Sequence, residues 1–446
     1  MLRDLLRRHL GNDTLLFSVD SYNYDSLRCS QVAGVYQTVD FGPGKHYNLA
    51  FDHMRKMEQR GPLVNTEYYP GWYDVWGQPH HTVNSTVVAE DLDAMLEMGA
   101  NVNVYPVAGG TLFGFKAGGE MSDSVPYHPV STSYDFDSPI SEAGDLTEKY
   151  RALKDVIGKY VRIPDVAVAN STKASYGEIK MEPMMPLLES LPYFAAETIA
   201  NEKPLSFEDM DHYYGIALYM TVIKEKLMSP AKLHVKGGVR DRAHIFVGGE
   251  FQGYLSRTEG VDAAAIYAEQ GKTLTLVVEN QGRVAFGKYL SDPKGIVEGE
   301  VTLSGVKARD WVMAAIPLDD KTKMREFART AVANLTRASE SCANPTKFKR
   351  MSFWMGTFEI PEANPGDTFL SFPGWSKGVA IVNGFNLGRY WPDVGPQKTL
   401  YLPGPVLRGS NATNTVVILE QDMAKCLAEN GDFSACKIVS QDYPEL

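Results

Sequence analysis

The sequence has little cysteine, no long apolar run and fewer basic than acidic side chains. Its 446 residues include 4 cysteines, 44 lysines and arginines, and 55 aspartates and glutamates, which gives a net charge of −11. Such an acidic balance argues against nucleic acid as a partner. Because no uninterrupted apolar stretch is long enough to span a bilayer, we expect no transmembrane segment. The composition predicts a globular protein with room for roughly two to four domains.

The sequence also lacks the motifs that bind common cofactors. It contains no phosphate-binding loop, no dinucleotide-binding fingerprint and no serine nucleophile elbow. His80 and His81 are adjacent, but no further metal ligands follow them at a suitable spacing. We therefore predict that the protein holds neither a metal ion nor a cofactor.

A signal peptide is likewise missing from residues 1–10, which have no continuous apolar core followed by a small-residue cleavage site. Instead, leucines at positions 2, 5, 6 and 10 share one side of a predicted amphipathic helix that ends at Gly11. Five Asn-x-Ser/Thr sequons are nevertheless typical of a glycosylated secreted or lysosomal protein: Asn12, Asn84, Asn170, Asn334 and Asn411. Together, the two observations predict that the chain lacks its natural beginning.

Residues 11–160 alternate apolar stretches with amphipathic ones. Strands are predicted at 15–20, 35–40, 62–67 and 101–105, and helices at 49–59, 87–98 and 148–157. Such alternation predicts a parallel sheet. Three strands end in a carboxylate, at Asp20, Asp40 and Glu67, and this placement suggests a (β/α) barrel with its active site at that edge. A closed barrel needs eight such units, whereas the sequence shows four.

Glu67 stands where an apolar stretch gives way to aromatic residues, glycine and proline. The aromatic residues are Tyr68, Tyr69, Trp72, Tyr73 and Trp76. Aromatic faces stack on the C–H faces of a pyranose, and a carboxylate among them can attack the anomeric carbon. The pattern favours a sugar-cleaving site. On these residues alone, a surface carboxylate beside an aromatic mini-core explains it equally well.

Beyond residue 160 the pattern becomes all-β. Residues 161–200 contain several prolines and are predicted to be a linker, with room for one donated strand. Strands are predicted at 213–223, 242–247, 274–278 and from Phe286 onward.

An internal repeat supports two all-β domains. Residues 244–254 and 380–390 share one pattern, in which an apolar strand, a tight glycine turn and a return strand follow each other. The repeat predicts two β-sandwich domains of the jelly-roll type, at 201–328 and 340–446.

Three stretches resemble the β-galactosidases of glycoside hydrolase family 35, the lysosomal acid β-galactosidases in particular. They are residues 61–80, residues 133–145, and residues 372–378 with their continuation 382–392. The resemblance runs in order over nearly the whole chain. It implies that residues 1–160 are the C-terminal half of a (β/α)8 TIM barrel and that the jelly rolls are galactose-binding-like. It further implies a retaining exo-β-galactosidase that removes terminal β-D-galactose from glycoconjugates, and that is lysosomal, vacuolar or secreted.

The resemblance also implies roles for individual residues. Glu67 would be the nucleophile and would form a covalent galactosyl-enzyme. The residues expected to line the galactose pocket are Tyr69, Trp72, Tyr105, Tyr134 and Phe136. Without the resemblance, core packing is the simpler interpretation of these aromatic side chains.

Departures from the family pattern keep a second function open. Phe136 stands where the family usually has a tyrosine, and Leu112 where it has an asparagine. The family's general acid/base would precede Met1, and neither Asp20 nor Asp40 matches it. The alternative is therefore a non-catalytic protein, either a short form or an inactive paralogue, that binds galactosides or another partner.

The resemblance implies a disulfide between Cys426 and Cys436 near the C-terminus. Cys29 resembles a family cysteine whose partner would lie upstream, so we expect it to be unpaired; a plain buried thiol is the alternative. Cys342 has no evident partner. The predicted binding partners are β-galactoside glycans, and a homodimer is left open.

Overall fold

The computed structural model describes residues 1–194, 197–338 and 345–446, with side chains described outside 331–346. Cys342, the predicted domain start at residue 340 and the side chain of Asn334 lie outside this part. The chain divides into two compact units. The first comprises Met1–Asp74, His80–Thr111 and Ser133–Ser171, and the second comprises Val75–Pro79, Leu112–Thr132 and Thr172–Leu446.

Residues 1–171 alternate helices and strands, as predicted. In chain order the elements are α1 Leu2–Leu10, β1 Phe17–Ser21, α2 Tyr24–Ser30, β2 Tyr36–Asp40, α3 Tyr47–Met57, β3 Val64–Tyr68, α4 Ser85–Glu97, β4 Asn101–Val104, β5 Gly110–Thr111, β6 Gly119–Glu120, β7 His128–Pro129, β8 Ser133–Tyr134 and α5 Glu148–Ile157. The short pair β6 and β7 belongs to the second unit, and the remaining elements belong to the first. Helix α2 was not predicted, because its residues are mostly polar.

The sheet of the first unit has four parallel strands in the order β1-β2-β3-β4. Helices α3, α4 and α5 pack on it through apolar residues at helical spacing, such as Phe51, Leu92 and Leu153, which share one core with Val39 of β2. Helix α4 is followed by Gly99, whose positive φ of 74° suits glycine and ends the helix. The periodicity of the sequence is therefore sufficient to place this layer of helices.

The outer strands of this sheet are poorly covered. On β1, Phe17 is 55% exposed and Val19 is 43% exposed. The amphipathic helix α1 forms as predicted, but none of its residues is buried. An edge strand with exposed apolar side chains has unused hydrogen-bonding groups along its backbone. The described part of the first unit thus forms an open parallel sheet with four strands.

Residues 172–446 are mostly β-structure. In chain order the elements are β9 Gly177–Lys180, β10 Glu182–Pro186, α6 Leu187–Phe194, β11 Thr198–Asn201, β12 Gly215–Val222, β13 Ala231–Val235, β14 Arg242–Val247, β15 Glu250–Ser256, β16 Ala263–Ile266, β17 Thr273–Asn280, β18 Val301–Leu303, β19 Val306–Lys307, β20 Trp311–Ile316, α7 Lys321–Ala338, β21 Ser352–Glu359, β22 Thr368–Ser371, β23 Gly378–Val382, β24 Phe385–Tyr390, β25 Thr399–Leu402, β26 Thr413–Glu420 and β27 Lys437–Gln441.

These strands form two pairs of sheets within the second unit. The sheets β11-β20-β12-β17-β14-β15 and β16-β13-β18-β19 share one core, which contains Leu233 and Leu276. The sheets β10-β21-β26-β23-β24 and β25-β22-β27-β9 share another, which contains Trp354 and Leu370. The repeat found in the sequence corresponds to hairpins β14-β15 and β23-β24. Both hairpins have a register shift just before the end of the first strand, between Ile245 and Phe246 in one and between Ala380 and Ile381 in the other.

Three features between residues 161 and 340 differ from the predictions. The predicted linker 161–200 contains β9, β10, α6 and β11, each of the strands pairing within a sheet. The strand predicted from Phe286 is wrong, because Gly287 and Gly295 adopt positive φ, Phe286 is 59% exposed and the next strand begins at Val301. Helix α7 was not predicted. None of the described helices is both long and apolar enough to cross a membrane.

The cysteines are arranged as the resemblance implies. Cys426 and Cys436 form a disulfide within the second unit. Cys29 is exposed and unpaired among the described residues, so the buried-thiol alternative is wrong.

Candidate functional site

Glu67 lies next to a second carboxylate at the carboxyl end of the parallel sheet. Strand β3 pairs with β2 so that Val39 is opposite Asn65 and Asp40 is opposite Glu67, with a register shift between the two pairs. A shift of one residue changes the face to which a side chain points. Here the irregularity brings Asp40 and Glu67 together, and the buried Asn65 supports it by accepting a 3.2 Å hydrogen bond from the Glu67 N–H.

The hydroxyl of Tyr69 joins these two carboxylates. It donates to Asp40 Oδ2 at 2.5 Å, and its oxygen lies 3.2 Å from Glu67 Oε2. Burial raises the pKa of Tyr69, and the hydrogen bond to Asp40 and the negative charge of Glu67 raise it further. Tyr69 therefore remains a neutral phenol over the whole working range of a protein.

Aromatic rings surround this carboxylate pair, as the sequence predicts. Trp72 packs edge-on against Tyr69, with ring centroids 5.3 Å apart, and lies 5.7 Å from Phe136. The rings of Tyr134 and Tyr105 lie 5.2 Å and 6.5 Å from Phe136. The structure thus brings all five predicted pocket residues into one cluster within the first unit. Burial raises the pKa of Tyr134, and Tyr105 and the Glu67 charge add to this effect.

The members of the cluster differ in exposure. Phe136 is only 3% exposed, so its ring forms the back of the cluster, whereas Tyr105 is 45% exposed. Tyr73 stacks nearly parallel to Tyr134 at 6.1 Å and joins the cluster.

Two aromatic residues of the 61–80 stretch lie elsewhere. Tyr68 is fully buried, and its hydroxyl donates to the Val88 carbonyl, because successive side chains of a strand point to opposite faces. Trp76 belongs to the second unit, where its ring packs against Trp391 at 6.2 Å. For these two residues, core packing is the correct interpretation.

A buried lysine connects the two segments that carry the aromatic rings. The Lys149 side chain extends from α5 and is 3% exposed. Its Nζ donates to the Pro70 carbonyl at 2.7 Å, to the Asp137 carbonyl at 2.6 Å and to the Asp137 carboxylate at 2.5 Å. A lysine in a helix is usually solvent-exposed, so the sequence offered no reason to select Lys149.

The turn at Phe136 and Asp137 is unusual in its backbone. Both residues have positive φ, of 62° and 47°, a conformation that few non-glycine residues adopt. Opposite them, a Cβ atom on Gly71 would lie 2.1 Å from the Phe136 carbonyl oxygen. Glycine is therefore required at position 71, where the two segments touch.

Another carboxylate of the 133–145 stretch, that of Glu142, is bound by two hydroxyls. Glu142 accepts hydrogen bonds from the hydroxyls of Thr111, on β5, and Ser133, on β8, the latter at 2.7 Å. Burial raises the pKa of Glu142 to about 8, although the two hydroxyls partly offset this effect. Glu142 is therefore largely protonated at neutral and acidic pH. Sequence reasoning missed it, because nothing distinguishes it from a surface glutamate.

The histidine pair at His80 and His81 binds within its own loop. His80 Nδ1 lies 2.7 Å from Asp74 Oδ2, and this hydrogen bond raises the pKa of His80. In the part of the chain that the structure describes, no group of three or more His, Cys, Asp or Glu side chains is arranged to hold a metal ion.

The other residues predicted from the sequence are not part of this cluster. Asp20 accepts a hydrogen bond from Ser18 at 2.6 Å, and Leu112 belongs to the second unit. The sequons at Asn12, Asn84, Asn170 and Asn411 are exposed, as a glycan attachment site must be.

Comparison with known proteins shows three regions of similarity. A family model described as "Glycosyl hydrolases family 35" matches residues 1–160. Models described as "Beta-galactosidase, first all-beta domain" and "Beta-galactosidase, galactose-binding domain" match residues 204–319 and 351–412. The first match contains every residue of the cluster around Glu67.

Curated relatives match over the whole chain. The beta-galactosidase of Bos taurus is 42% identical over 99% of this chain and 68% of its own length. Those of Canis lupus familiaris and Homo sapiens are 41% and 40% identical over 100% of this chain, and over 66% and 65% of their own lengths. The chain thus spans about two thirds of the length of the relatives it matches.

Proposed function

Because this chain belongs to glycosyl hydrolases family 35, we propose that it is part of a retaining exo-β-galactosidase in which Glu67 is the nucleophile. The observation that carries the proposal is the position of Glu67. It lies at the carboxyl end of a parallel strand, beside Asp40 and Tyr69 and within a cluster of aromatic rings. Aromatic faces bind a pyranose, and the adjacent carboxylate can reach its anomeric carbon.

The reaction we propose has two steps. Glu67 attacks the anomeric carbon of a terminal β-galactose, the bond to the leaving oxygen breaks, and a covalent galactosyl-enzyme forms. Water then attacks the same carbon, which releases galactose with retained configuration. Trp72, Tyr105, Tyr134 and the back of the cluster at Phe136 would hold the sugar. Tyr69 stays neutral and can orient Glu67 without adding charge.

A retaining mechanism also needs a general acid/base about 5–5.5 Å from the nucleophile. We place this residue outside the present sequence, in the third of the relatives' length that the chain does not span. We likewise propose that the four-stranded sheet is the C-terminal half of a (β/α)8 barrel. The open edges of β1 and β4 and the exposed apolar side chains of β1 support this proposal.

The substrate class, location and assembly follow from the same proposal. The substrates are glycoconjugates with terminal β-D-galactose, and the protein acts in lysosomes or vacuoles or after secretion. The exposed sequons support passage through a compartment where glycans are added. The comparisons provide no separate support for the non-catalytic alternative.

Covalent labelling tests the nucleophile directly. The protein is purified from its natural source and incubated with a 2-deoxy-2-fluoro-β-galactosyl fluoride, whose fluoride leaves without a proton donor while the galactosyl-enzyme persists. We expect one label per chain, on the peptide that contains Glu67. A label on another carboxylate, with Glu67 unmodified, would contradict the assignment.

The intact mass of the same deglycosylated sample provides the control. A mass well above that of these 446 residues, together with hydrolysis of aryl β-galactosides, supports the half-barrel proposal. A mass equal to that of this chain, with galactoside binding but no turnover, would support the non-catalytic alternative instead.

A further inference from the structure

The two carboxylate oxygens of Asp40 have different surroundings. Its Oδ2 accepts the Tyr69 hydroxyl at 2.5 Å, whereas its Oδ1 is buried and has no hydrogen-bond partner among the described residues. The Tyr69 oxygen also lies 3.2 Å from Glu67 Oε2. A phenol has a single hydrogen, so it can be fully donated to one of the two carboxylates only.

The distances show which carboxylate receives that hydrogen. The contact to Asp40 is within the range of a short charge-assisted hydrogen bond, while the contact to Glu67 is at the long end for an O–H donor. Tyr69 therefore donates mainly to Asp40, and its hydrogen bond to Glu67 Oε2 is the weaker of the two. A donated hydrogen bond would stabilise the negative charge of Glu67 and make it a weaker nucleophile.

We propose that Asp40 is a positioning residue that holds the Tyr69 hydrogen and so keeps the hydrogen bond from Tyr69 to Glu67 long and weak, which preserves the reactivity of Glu67. Asp40 also fixes the direction of the Tyr69 ring, against which Trp72 packs. The consequence for reaction rate rests on the proposed function of Glu67. The direction of the hydrogen bond does not.

The same geometry argues against Asp40 as the general acid/base. Asp40 Oδ2 and Glu67 Oε2 contact one hydroxyl, so they are no further apart than the sum of those two contacts. This upper limit on the separation does not by itself exclude a retaining pair. However, one oxygen of Asp40 is occupied by Tyr69 and the other is buried, so neither can protonate a leaving oxygen on the substrate. Its role is exerted through Tyr69.

The first test needs no enzyme activity. All tyrosines of the full-length gene product are replaced with 3-fluorotyrosine, and the ¹⁹F resonance of Tyr69 is assigned by its loss in Tyr69→Phe. We expect Asp40→Asn to shift this resonance, because the phenol loses its charged acceptor, and Asp40→Glu to restore part of the shift. Asp20→Asn, a carboxylate at the end of the adjacent strand β1, is the matched control and should leave the resonance unchanged. An unchanged Tyr69 resonance in folded Asp40→Asn would overturn the inference.

The second test measures the rate of labelling by the 2-fluorogalactosyl fluoride, in which the C–F bond breaks and an ester bond to Glu67 forms. Asp40→Asn should slow labelling on the order of 10-fold, because the Tyr69 hydrogen becomes available to Glu67. In a Tyr69→Phe background the same substitution should change the rate less than about twofold, since no hydrogen remains to redirect.

The outcomes separate the inference from the proposed function. Equal effects of Asp40→Asn in both backgrounds would mean that Asp40 acts independently of Tyr69, and would overturn the inference. Absence of labelling at Glu67 in the unsubstituted protein would instead overturn the proposed function, and the ¹⁹F experiment would still decide the role of Asp40.

Discussion

Two carboxylate sites of this molecule, one in each unit, are built in opposite ways. In the second unit, Glu279 is 3% exposed and lies between two buried cations, accepting hydrogen bonds from Lys377 Nζ and, at 2.7 Å, from Arg389 Nε. Burial alone would raise the pKa of Glu279, but the two cations hold it below its usual range. In the first unit, a neutral phenol bridges Glu67 and Asp40.

The difference distinguishes a structural carboxylate, Glu279, from Glu67, which we propose to be the nucleophile. The charge of Glu279 is neutralised by two side chains of the fold, so it is not available to a ligand. Removing this carboxylate would leave two buried cations unpaired. The charge of Glu67 is contacted by a neutral group and surrounded by aromatic faces, so it remains available to an external centre of positive charge. An anomeric carbon in the transition state of glycoside cleavage is such a centre.

The largest expected effect is on catalysis. Glu67→Gln in the full-length gene product should lower kcat for an aryl β-galactoside on the order of 10³-fold or more, because the covalent step loses its nucleophile. The melting temperature should change little, since no buried cation depends on Glu67. Near-normal turnover in the variant would show that Glu67 is not the nucleophile, and the functional contrast between Glu67 and Glu279 would no longer hold.

The next largest effect is on stability. Glu279→Gln leaves Lys377 and Arg389 buried without their carboxylate, and should lower the free energy of unfolding by about 3–5 kcal/mol in urea. The matched control is Glu178→Gln, whose ion pair with Lys437 is largely solvent-exposed and should contribute less than about 1 kcal/mol. Equal small losses in the two variants would show that the buried pair is not structural.

A smaller effect concerns pH. The folded-state pKa of Glu142 is about 8, against an ordinary value of 4.5, so between these values the folded protein binds more protons than the unfolded one. The stability that protonated Glu142 contributes is complete below pH 4.5 and is lost as the pH rises through 8. Glu142→Gln should therefore be more stable than the unsubstituted protein above pH 8, with little difference at pH 5.

Urea unfolding at pH 5 and at pH 8.5 measures this difference. The oxygen of a glutamine can accept from one of the Thr111 and Ser133 hydroxyls, and its NH2 group can donate to the oxygen of the other, so both local contacts can be kept. If the two proteins lose stability in parallel over this range, Glu142 is not the group that titrates.

The smallest effect concerns the back of the aromatic cluster. Phe136→Tyr adds a hydroxyl to the ring that packs against Trp72 and Tyr134. We expect the inhibition constant of galactose to fall about fivefold, equivalent to about 1 kcal/mol, because the hydroxyl can pair with a sugar oxygen. An unchanged or larger constant would show that this ring contributes packing only.

The sequence predicted features that depend on local pattern. The apolar stretches gave strands β1 to β4 within a few residues, and the periodicity of 148–157 gave the bounds of α5. Glu67 was found because a strand-end carboxylate followed by aromatic residues is a chemical pattern within one short segment. The five residues predicted to line the pocket were named from the family resemblance, and the structure brings them into one cluster.

Features that depend on distant contacts could not be predicted. In the sequence Lys149 is an ordinary helical lysine, because its contacts are with the carbonyl groups of Pro70 and Asp137, which belong to two other segments. The pairing of Asp40 with Glu67 depends on a register shift between two strands, which leaves no trace in either strand alone. The predicted strand from Phe286 failed because apolar residues in a glycine-containing segment do not specify an extended backbone.

The contact between Gly71 and the Phe136 carbonyl has a consequence for the history of this sequence. Any side chain at position 71 would displace the turn at 136 and 137, so a substitution of Gly71 can be accommodated only if that turn also changes. We therefore expect these two segments, though distant along the chain, to have been inherited as a single unit. A protein engineer who grafts one of them from a homologue would need to graft both.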